Sequence, residues 1–132
     1  MKLIIEGETP AKKNSRIVLP NGRNIPSKQY REWHESALLQ VRAMTVWIKE
    51  PIAYPVSISL CFYHGDKRRR DSDNGTSSIL DLLVDAGVLK DDKWEIVRIL
   101  NIYNQYDKGH ARCEVMISQL ETTIETGAAH GR

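Results

Sequence analysis

Residues 56–63 alternate strictly between apolar and small or polar side chains, and this pattern constrains the fold more than any other part of the chain. The apolar set is Val56, Ile58, Leu60 and Phe62. An alternation of period two is typical of a β-strand with one buried face. Four consecutive cations follow at 67–70, and apolar residues at helical spacing begin at Ile79. The sequence therefore predicts a strand, a highly charged loop and a helix in succession.

The rest of the chain supplies the other elements of a mixed sheet. The pair Asn21-Gly22 lies between two short apolar runs and favours a type I′ hairpin over residues 16–25. Ser27 is suited to cap a helix over residues 28–46. The other predicted elements are a strand at 1–7, a helix that follows residues 71–74 and stops at Gly87, and strands at 94–103 and 111–117. This order predicts an α/β fold with a mixed β-sheet of about four strands and two main helices.

The composition indicates one small domain. A chain of 132 residues with 41% hydrophobic residues has the size and apolar content of such a domain. We expect it to occupy residues 1–120, with a frayed tail at 121–132. No run is apolar enough for a membrane span or a signal peptide, and no C-x-x-C pair is present, so we expect a cytoplasmic protein without a zinc ribbon. The residues expected to pack in or beside the core are Cys61, Cys113, Trp33, Trp47 and Trp94.

The charges are strongly segregated along the chain, although the formal net charge is only +2. Residues 1–32 and 67–70 carry an excess of Lys and Arg, whereas residues 71–95 contain seven acidic residues and only two lysines. Cations hold phosphates and carboxylates hold divalent ions, so a basic surround with an acidic centre suits a metal-dependent site that cleaves a polyanion. A single charged run is usually solvated surface, but the abrupt change from basic to acidic at residue 71 favours the site.

Two acidic segments are the candidates for binding a metal ion. Asp71 and Asp73 follow the basic run, and Asp91 and Asp92 follow the second predicted helix. In a strand-like backbone, residues two apart project to the same side, so Asp71 and Asp73 can share one cation. Crowded carboxylates need a compensating cation, and Mg²⁺ or Mn²⁺ prefers such oxygen ligands. We therefore expect the two segments to converge on divalent ions in one pocket.

Other interpretations of the acidic segments compete with this one. Residues 73–75 (Asp-Asn-Gly) are also a common turn or helix-cap sequence, which would leave both acidic pairs without a catalytic role. An EF-hand is excluded because Thr76 and Leu82 occupy the positions that require Gly and Glu. Residues 91–93 (Asp-Asp-Lys) also match the acid-x-Lys element of restriction-type nucleases, which is a very short pattern.

Three segments of the chain, at 66–74, 79–83 and 86–92, read DKRRRDSDN, ILDLL and AGVLKDD. Together they resemble the RusA family of Holliday junction resolvases, small nucleases of bacteria, bacteriophages and prophages. The likeness extends more loosely over the first strand, residues 12–16 and the first helix. It implies a homodimer with a mixed α/β fold that binds four-way DNA junctions. It also implies that paired nicks made with Mg²⁺ or Mn²⁺ resolve the junction during DNA recombination and repair.

The resemblance also implies roles for individual residues. Asp71, Asp73 and Asp92 match the family's essential carboxylates, with Asp91 as their neighbour and Asp81 as a further acid on the helix. The residues implied to face DNA are Lys67, Arg68, Arg69, Arg70, Lys12, Lys13 and Arg16.

One departure from the family pattern lies directly after the acidic segment. The family continues with Leu-x-Lys, whereas this chain has Gly75-Thr76-Ser77. The missing lysine removes a cation that would help to neutralise the transition state, and Lys93 beside Asp92 is our candidate replacement. We also expect Gly75 to loosen the start of the helix. The leading hypothesis is a metal-dependent endonuclease. The alternatives are a weak or inactive module that binds branched DNA, and an α/β scaffold with solvated charges.

Overall fold

Strands and helices follow one another in the predicted order. The computed structural model describes residues 1–12 and 16–121, and of Arg16 only the backbone. Its elements are β1 (Lys2–Glu6), β2 (Arg16–Val18), β3 (Asn24–Pro26), α1 (Lys28–Met44), β4 (Val56–His64), α2 (Thr76–Asp85), β5 (Val97–Tyr106) and β6 (Arg112–Gln119).

Four of the strands form one mixed sheet in the order β1-β6-β4-β5. β6 pairs antiparallel with both β1 and β4, whereas β4 and β5 are parallel. Parallel neighbours need a crossover connection, and α2 provides it. β2 and β3 form a separate two-stranded hairpin. The predicted α/β class with a four-stranded mixed sheet and two helices is confirmed.

The core lies between one face of the sheet and the two helices. The alternation in β4 is confirmed, because its even-numbered residues from 56 to 62 are buried and the odd-numbered ones are half-buried. Ala37 and Val41 of α1 pack in the same cluster. The buried residues that α2 contributes are Ser78, Ile79, Leu82 and Leu83. Even residues of β4 therefore face the helices, and this register decides which side chains can reach the loop before α2.

The start of α1 and the end of α2 agree with the sequence prediction. The Ser27 hydroxyl oxygen accepts a hydrogen bond from the Tyr30 amide at 3.2 Å, which satisfies one of the free donors at the start of α1. Gly87 follows α2 with a φ of 77°, a conformation that favours glycine. α1 ends at Met44, slightly earlier than the predicted residue 46. The fold therefore places the start of α2 beside the end of β4.

Gly75, by contrast, does not loosen the start of α2, so that prediction is wrong. A Cβ atom at this position would lie 2.7 Å from Thr9 Cγ2 and 2.9 Å from Phe62 Cε1. The first turn of the helix is therefore packed directly on the sheet, and Gly75 permits this approach.

The hairpin is confirmed, but its turn differs from the predicted type. The Gly22 amide donates to the Leu19 carbonyl at 2.9 Å, so the tight turn is centred on Pro20 and Asn21. Proline fixes a negative φ, whereas a type I′ turn needs positive φ at both central residues. Pro20 therefore excludes the type I′ geometry that the Asn21-Gly22 pair predicts.

The strand predicted at 94–103 begins later and is less buried than expected. β5 starts at Val97 and lies at the edge of the sheet beside β4 alone, so much of it is exposed. Trp94 and Trp47 are also exposed, which corrects their predicted core positions, whereas Trp33 packs against the core. Cys113 is buried as predicted and Cys61 is half-buried. Neither described helix has the length and hydropathy that a membrane span requires. The predicted tail lies, from residue 122, outside the described residues.

Candidate functional site

The carboxyl ends of the parallel strands β4 and β5 meet at one edge of the sheet, where His64 pairs with Tyr106. The charged loop of residues 65–75 leaves β4 at this point and leads to α2. A cleft of about 370 Å³ opens there. Its lining residues are His64, Asp66, Lys67, Arg68, Arg70, Ser72, Asn104, Gln105 and Tyr106. In open α/β sheets, clefts at the carboxyl ends of strands are the usual ligand sites.

Asp71 and Asp73 lie beside this cleft in a turn. The Asp71 carbonyl accepts from the Asn74 amide, and the Asp73 carbonyl accepts from the Thr76 amide, both at 3.1 Å. The strand-like geometry that we expected for this pair is therefore wrong, because the backbone reverses here to enter the helix. The turn role predicted for residues 73–75 is observed, and both carboxylates remain exposed.

A chain of hydrogen bonds links this turn to the sheet. The Asn104 side-chain amide nitrogen donates to the Ser72 carbonyl at 2.9 Å. The Asn104 amide oxygen lies 2.8 Å from His64 Nε2, and His64 Nδ1 lies 2.8 Å from a carboxylate oxygen of Glu8. The segment between Asp71 and Asp73 is thereby connected through two strands to the segment that follows β1.

The basic run divides into one internal cation and three exposed ones. The side chain of Arg70 is only 11% exposed, and its guanidinium lies 3.2 Å from Glu8 and 2.9 Å from Asp66. The Arg68 backbone amide and then Arg70 lower the pKa of Asp66, which keeps that carboxylate ionised. Within this protomer Arg70 therefore joins the loop to Glu8, and its predicted role in facing DNA stays a prediction. The exposed cations of the run are Lys67, Arg68 and Arg69.

The three cations predicted near the N-terminus are described unequally. Lys12 is half-buried and forms an ion pair with Asp81 of α2. Lys13 lies outside the described residues, and the position of the Arg16 side chain is not described. Lys12 is thus positioned beside the further acid of the helix.

Asp91, Asp92 and Lys93 are exposed and precede β5. They lie at the opposite end of the parallel unit, which consists of β4, α2 and β5. The Lys90 amide bonds to the Ile52 carbonyl, and the Val97 amide bonds to the Lys93 carbonyl, which holds this segment beside the amino ends of β4 and β5. Partial burial and the neighbouring Asp91 and Asp81 raise the pKa of Asp92. Asp91 and Asp81 therefore disfavour the ionised form of Asp92, although Asp81 is itself paired with Lys12.

One protomer does not bring the two acidic segments together. Ser72 is bonded to Asn104 near the end of β5, whereas Asp92 lies just before Val97 at its beginning. The strand between these points covers about 23 Å at the usual rise per residue. Among residues 1–12 and 16–121, no three His, Cys, Asp or Glu side chains are grouped so as to hold a metal ion. The expected convergence in one pocket is not found within this protomer.

The same separation applies to the proposed replacement for the missing lysine. Ser77 is exposed in the first turn of α2 and follows the acidic turn, residues 71–76. Lys93, by contrast, lies beside Asp92. Lys93 is therefore placed to assist Asp92 and not, within one protomer, to occupy the surroundings of Ser77.

The residues present nevertheless have the chemistry that a hard divalent cation requires. All the candidate ligands are carboxylates, the donor type that Mg²⁺ and Mn²⁺ prefer. Partial burial, followed by the neighbouring Asp91 and Asp81, raises the pKa of Asp92, and a bound cation would favour its ionised form. The donor set therefore fits a divalent metal, but each end of the parallel unit supplies only part of it.

Sequence reasoning missed Glu8, His64 and Asn104. A signal was available for His64, because it continues the even-numbered, inward-facing set of β4 beyond Phe62. Its ring stacks near that of Phe62, with the ring centroids 6.5 Å apart. Asn104 becomes its neighbour only through the parallel register of β5, which no local pattern reveals.

Comparison with known proteins agrees with this combination of fold and charge. The family described as endodeoxyribonuclease RusA matches residues 6–118. The crossover junction endodeoxyribonuclease RusA of Aquifex aeolicus (strain VF5) is 27% identical over 84 residues. That alignment covers 63% of this chain and 65% of the relative, so the chain spans slightly less than two thirds of the relative's length. The match to the family extends from the end of β1 almost to the end of β6 and so includes the whole mixed sheet and both helices. The chain therefore belongs to the endodeoxyribonuclease RusA family.

Proposed function

We propose that this protein is a divalent-metal-dependent endodeoxyribonuclease that resolves four-way junctions and related branched DNA during recombination and repair in the bacterial cytoplasm. The observation that carries the proposal is the direct succession of exposed cations and exposed carboxylates in residues 67–73, at the carboxyl ends of two parallel strands. Family membership and the name of the Aquifex relative support the same activity.

The two kinds of charge have different tasks. Lys67, Arg68 and Arg69 bind phosphates, because exposed Lys and Arg side chains can approach the DNA backbone. The candidate metal ligands are Asp71, Asp73, Asp92 and Asp91. Bound Mg²⁺ or Mn²⁺ supplies Lewis-acid assistance to phosphodiester hydrolysis. Lys93 adds positive charge beside Asp92.

We further propose that the working form is a homodimer in which each site combines the acidic turn of one copy with the Asp91-Asp92 segment of the other. The separation of these segments within a protomer supports this arrangement. A two-fold axis generates two equivalent composite sites from a single kind of contact. Two such sites suit a substrate that is itself cut at two symmetric positions.

The direct test is a nicking assay on a synthetic four-way junction with Mg²⁺ or Mn²⁺. We expect the natural protein to cut and Asp73→Asn to lose about 100-fold or more in rate while still binding the junction, because a metal carboxylate is removed and repulsion from phosphate falls. Glu95→Gln, which also removes one exposed acid, is the control and should cut normally. Binding without cutting, with no effect of Asp73→Asn, would refute the catalytic proposal.

The alternative is a relative that binds branched DNA but cuts it weakly or not at all. The specific observation in its favour is Ser77 at the position of the family's lysine. Titration calorimetry with Mn²⁺ distinguishes the two proposals. An active nuclease should bind Mn²⁺ in a manner weakened by Asp71→Asn, whereas a degenerate relative should show no binding that depends on this residue.

A further inference from the structure

We propose that Asn104 is a positioning residue that holds the turn between Asp71 and Asp73 in the geometry needed for metal binding. The inference rests on the proposed function for its purpose, but its structural basis is independent. Ser72 lies between the two aspartates, and its carbonyl accepts a hydrogen bond from the Asn104 amide nitrogen at 2.9 Å. One side-chain contact thus acts on the backbone that carries both carboxylates.

The orientation of the Asn104 amide is determined by its two partners. The Ser72 carbonyl can only accept, so the amide nitrogen must face it and the amide oxygen must face His64. His64 Nε2 then donates to that oxygen, and His64 Nδ1 lies 2.8 Å from a carboxylate oxygen of Glu8. Because each ring nitrogen has a partner, the imidazole is held from two sides. A side chain that is fixed in this way holds Asn104 in one orientation.

The acidic turn therefore has two attachments to the sheet. Ser72 is bonded to Asn104 at one side, and Gly75 packs against Thr9 and Phe62 at the other. The carboxylates of Asp71 and Asp73 are themselves exposed, so their mean positions depend on the backbone between these attachments. Loss of the Ser72 contact should free the half of the turn that carries Asp71 and Asp73, while the packing at Gly75 remains.

A matched control lies on the same strand. The side-chain amide of Asn101 donates to the Ser59 hydroxyl at 3.3 Å, three residues before Asn104 and on the opposite face of β5. Asn101→Ala removes one side-chain hydrogen bond between β4 and β5, and Asn104→Ala likewise removes the bond to His64. Only Asn104→Ala also removes a bond to the acidic turn. The two variants therefore separate a general weakening of the strand pair from a specific effect on residues 71–76.

The experiment measures hydrogen exchange of the metal-free protein and, separately, the Mn²⁺ dependence of nicking. The amides of Asn74 and Thr76 bond within the turn and report its opening. In Asn104→Ala we expect them to exchange about fivefold faster, the factor that corresponds to one ordinary hydrogen bond. The Mn²⁺ concentration for half-maximal nicking should rise by a similar factor, with unchanged affinity for the junction. Asn101→Ala should leave both measurements at their natural values.

The outcomes distinguish this proposal from the nuclease proposal. The role of Asn104 would be overturned if the amides of residues 74 and 76 exchanged in Asn104→Ala as slowly as in the unsubstituted protein. Equal acceleration of their exchange in Asn101→Ala would also overturn it. Both conclusions hold even if the protein cuts junctions. Selective acceleration in a protein that fails to cut would support the role of Asn104 and refute the nuclease. A loss of junction affinity that accompanies the rise in the Mn²⁺ requirement would also overturn it, because a general structural defect would then explain both.

Discussion

The two ends of the β4-α2-β5 unit hold acids in different ways. At the carboxyl end, Arg70 is paired with Glu8 and Asp66, and the remaining acids of the turn project into solvent. At the amino end, partial burial and then the neighbouring Asp91 and Asp81 raise the pKa of Asp92. The carboxyl end is therefore ordered by internal ion pairs, whereas at the amino end the folded state disfavours the charge of Asp92.

This difference shows how a single parallel crossover divides the candidate site. α2 runs back along the sheet, so residues that precede it and residues that follow it must lie at opposite ends. Within one protomer the crossover therefore keeps the two acidic pairs apart, and neither end groups three metal-binding side chains among the residues that the structure describes.

The largest effects should come from removing one acid at each end. Asp92→Asn and Asp73→Asn should both lower nicking by about 100-fold or more. The two variants should differ, however, in the stability of the metal-free protein. A raised pKa means that the folded state disfavours the ionised form of Asp92, so the charge costs stability above that pKa.

Neutralising Asp92 should therefore raise the melting temperature of the metal-free protein near pH 7 by about 1–2 °C, whereas Asp73→Asn should not. Scanning calorimetry with EDTA measures the difference. Equal shifts in the two variants would contradict the contrast between the two ends.

A smaller effect should separate two lysines of the amino end. Lys93 adjoins Asp92, whereas Lys90 is held through its backbone to Ile52. If Lys93 compensates for the missing lysine at Ser77, Lys93→Ala should lower the nicking rate by about tenfold and Lys90→Ala should have little effect. Single-turnover nicking at saturating Mn²⁺ makes the comparison. Equal rates in the two variants would remove Lys93 from the mechanism.

The smallest effects should separate two arginines of the carboxyl end. Arg69 is exposed, so Arg69→Ala should weaken junction binding a few-fold and reduce the slope of log K against log salt by about 0.9, as expected for one lost phosphate contact. Arg70 is internal, so Arg70→Ala should lower the melting temperature by about 3 °C. Salt titrations and thermal melts of both variants test the division. A larger salt effect for Arg70→Ala would show that Arg70 contacts DNA.

The sequence predicted the fold more completely than the arrangement of the candidate site. The alternation in β4, the Ser27 cap and the stop at Gly87 are local signals, and the structure confirms each of them. The exposure of β5 could not be predicted, because a strongly apolar segment reads the same at the edge of a sheet as in its centre. Edge position depends on the strand order.

The site depended on information that no single segment contains. The acidic and basic residues were identified from their types and from resemblance, but the separation of the two acidic segments follows from the parallel pairing of β4 with β5. The same pairing places Asn104 beside His64. The internal role of Arg70 depends on Glu8, some sixty residues earlier in the chain. Such long-range partners are fixed by topology, whereas spacing reports only local geometry.

The proposal of composite sites is tested most directly by mixing Asp73→Asn and Asp92→Asn proteins under conditions that exchange subunits, and by measuring nicking of a four-way junction. Each variant alone should be inactive. A mixed dimer with composite sites has one site that contains both substitutions and one that is intact, so a random mixture should recover about a quarter of the natural nicking activity. The recovered product should be single nicks in place of paired cuts. A mixture as inactive as its components would contradict the account and would assign all the carboxylates of a site to one copy.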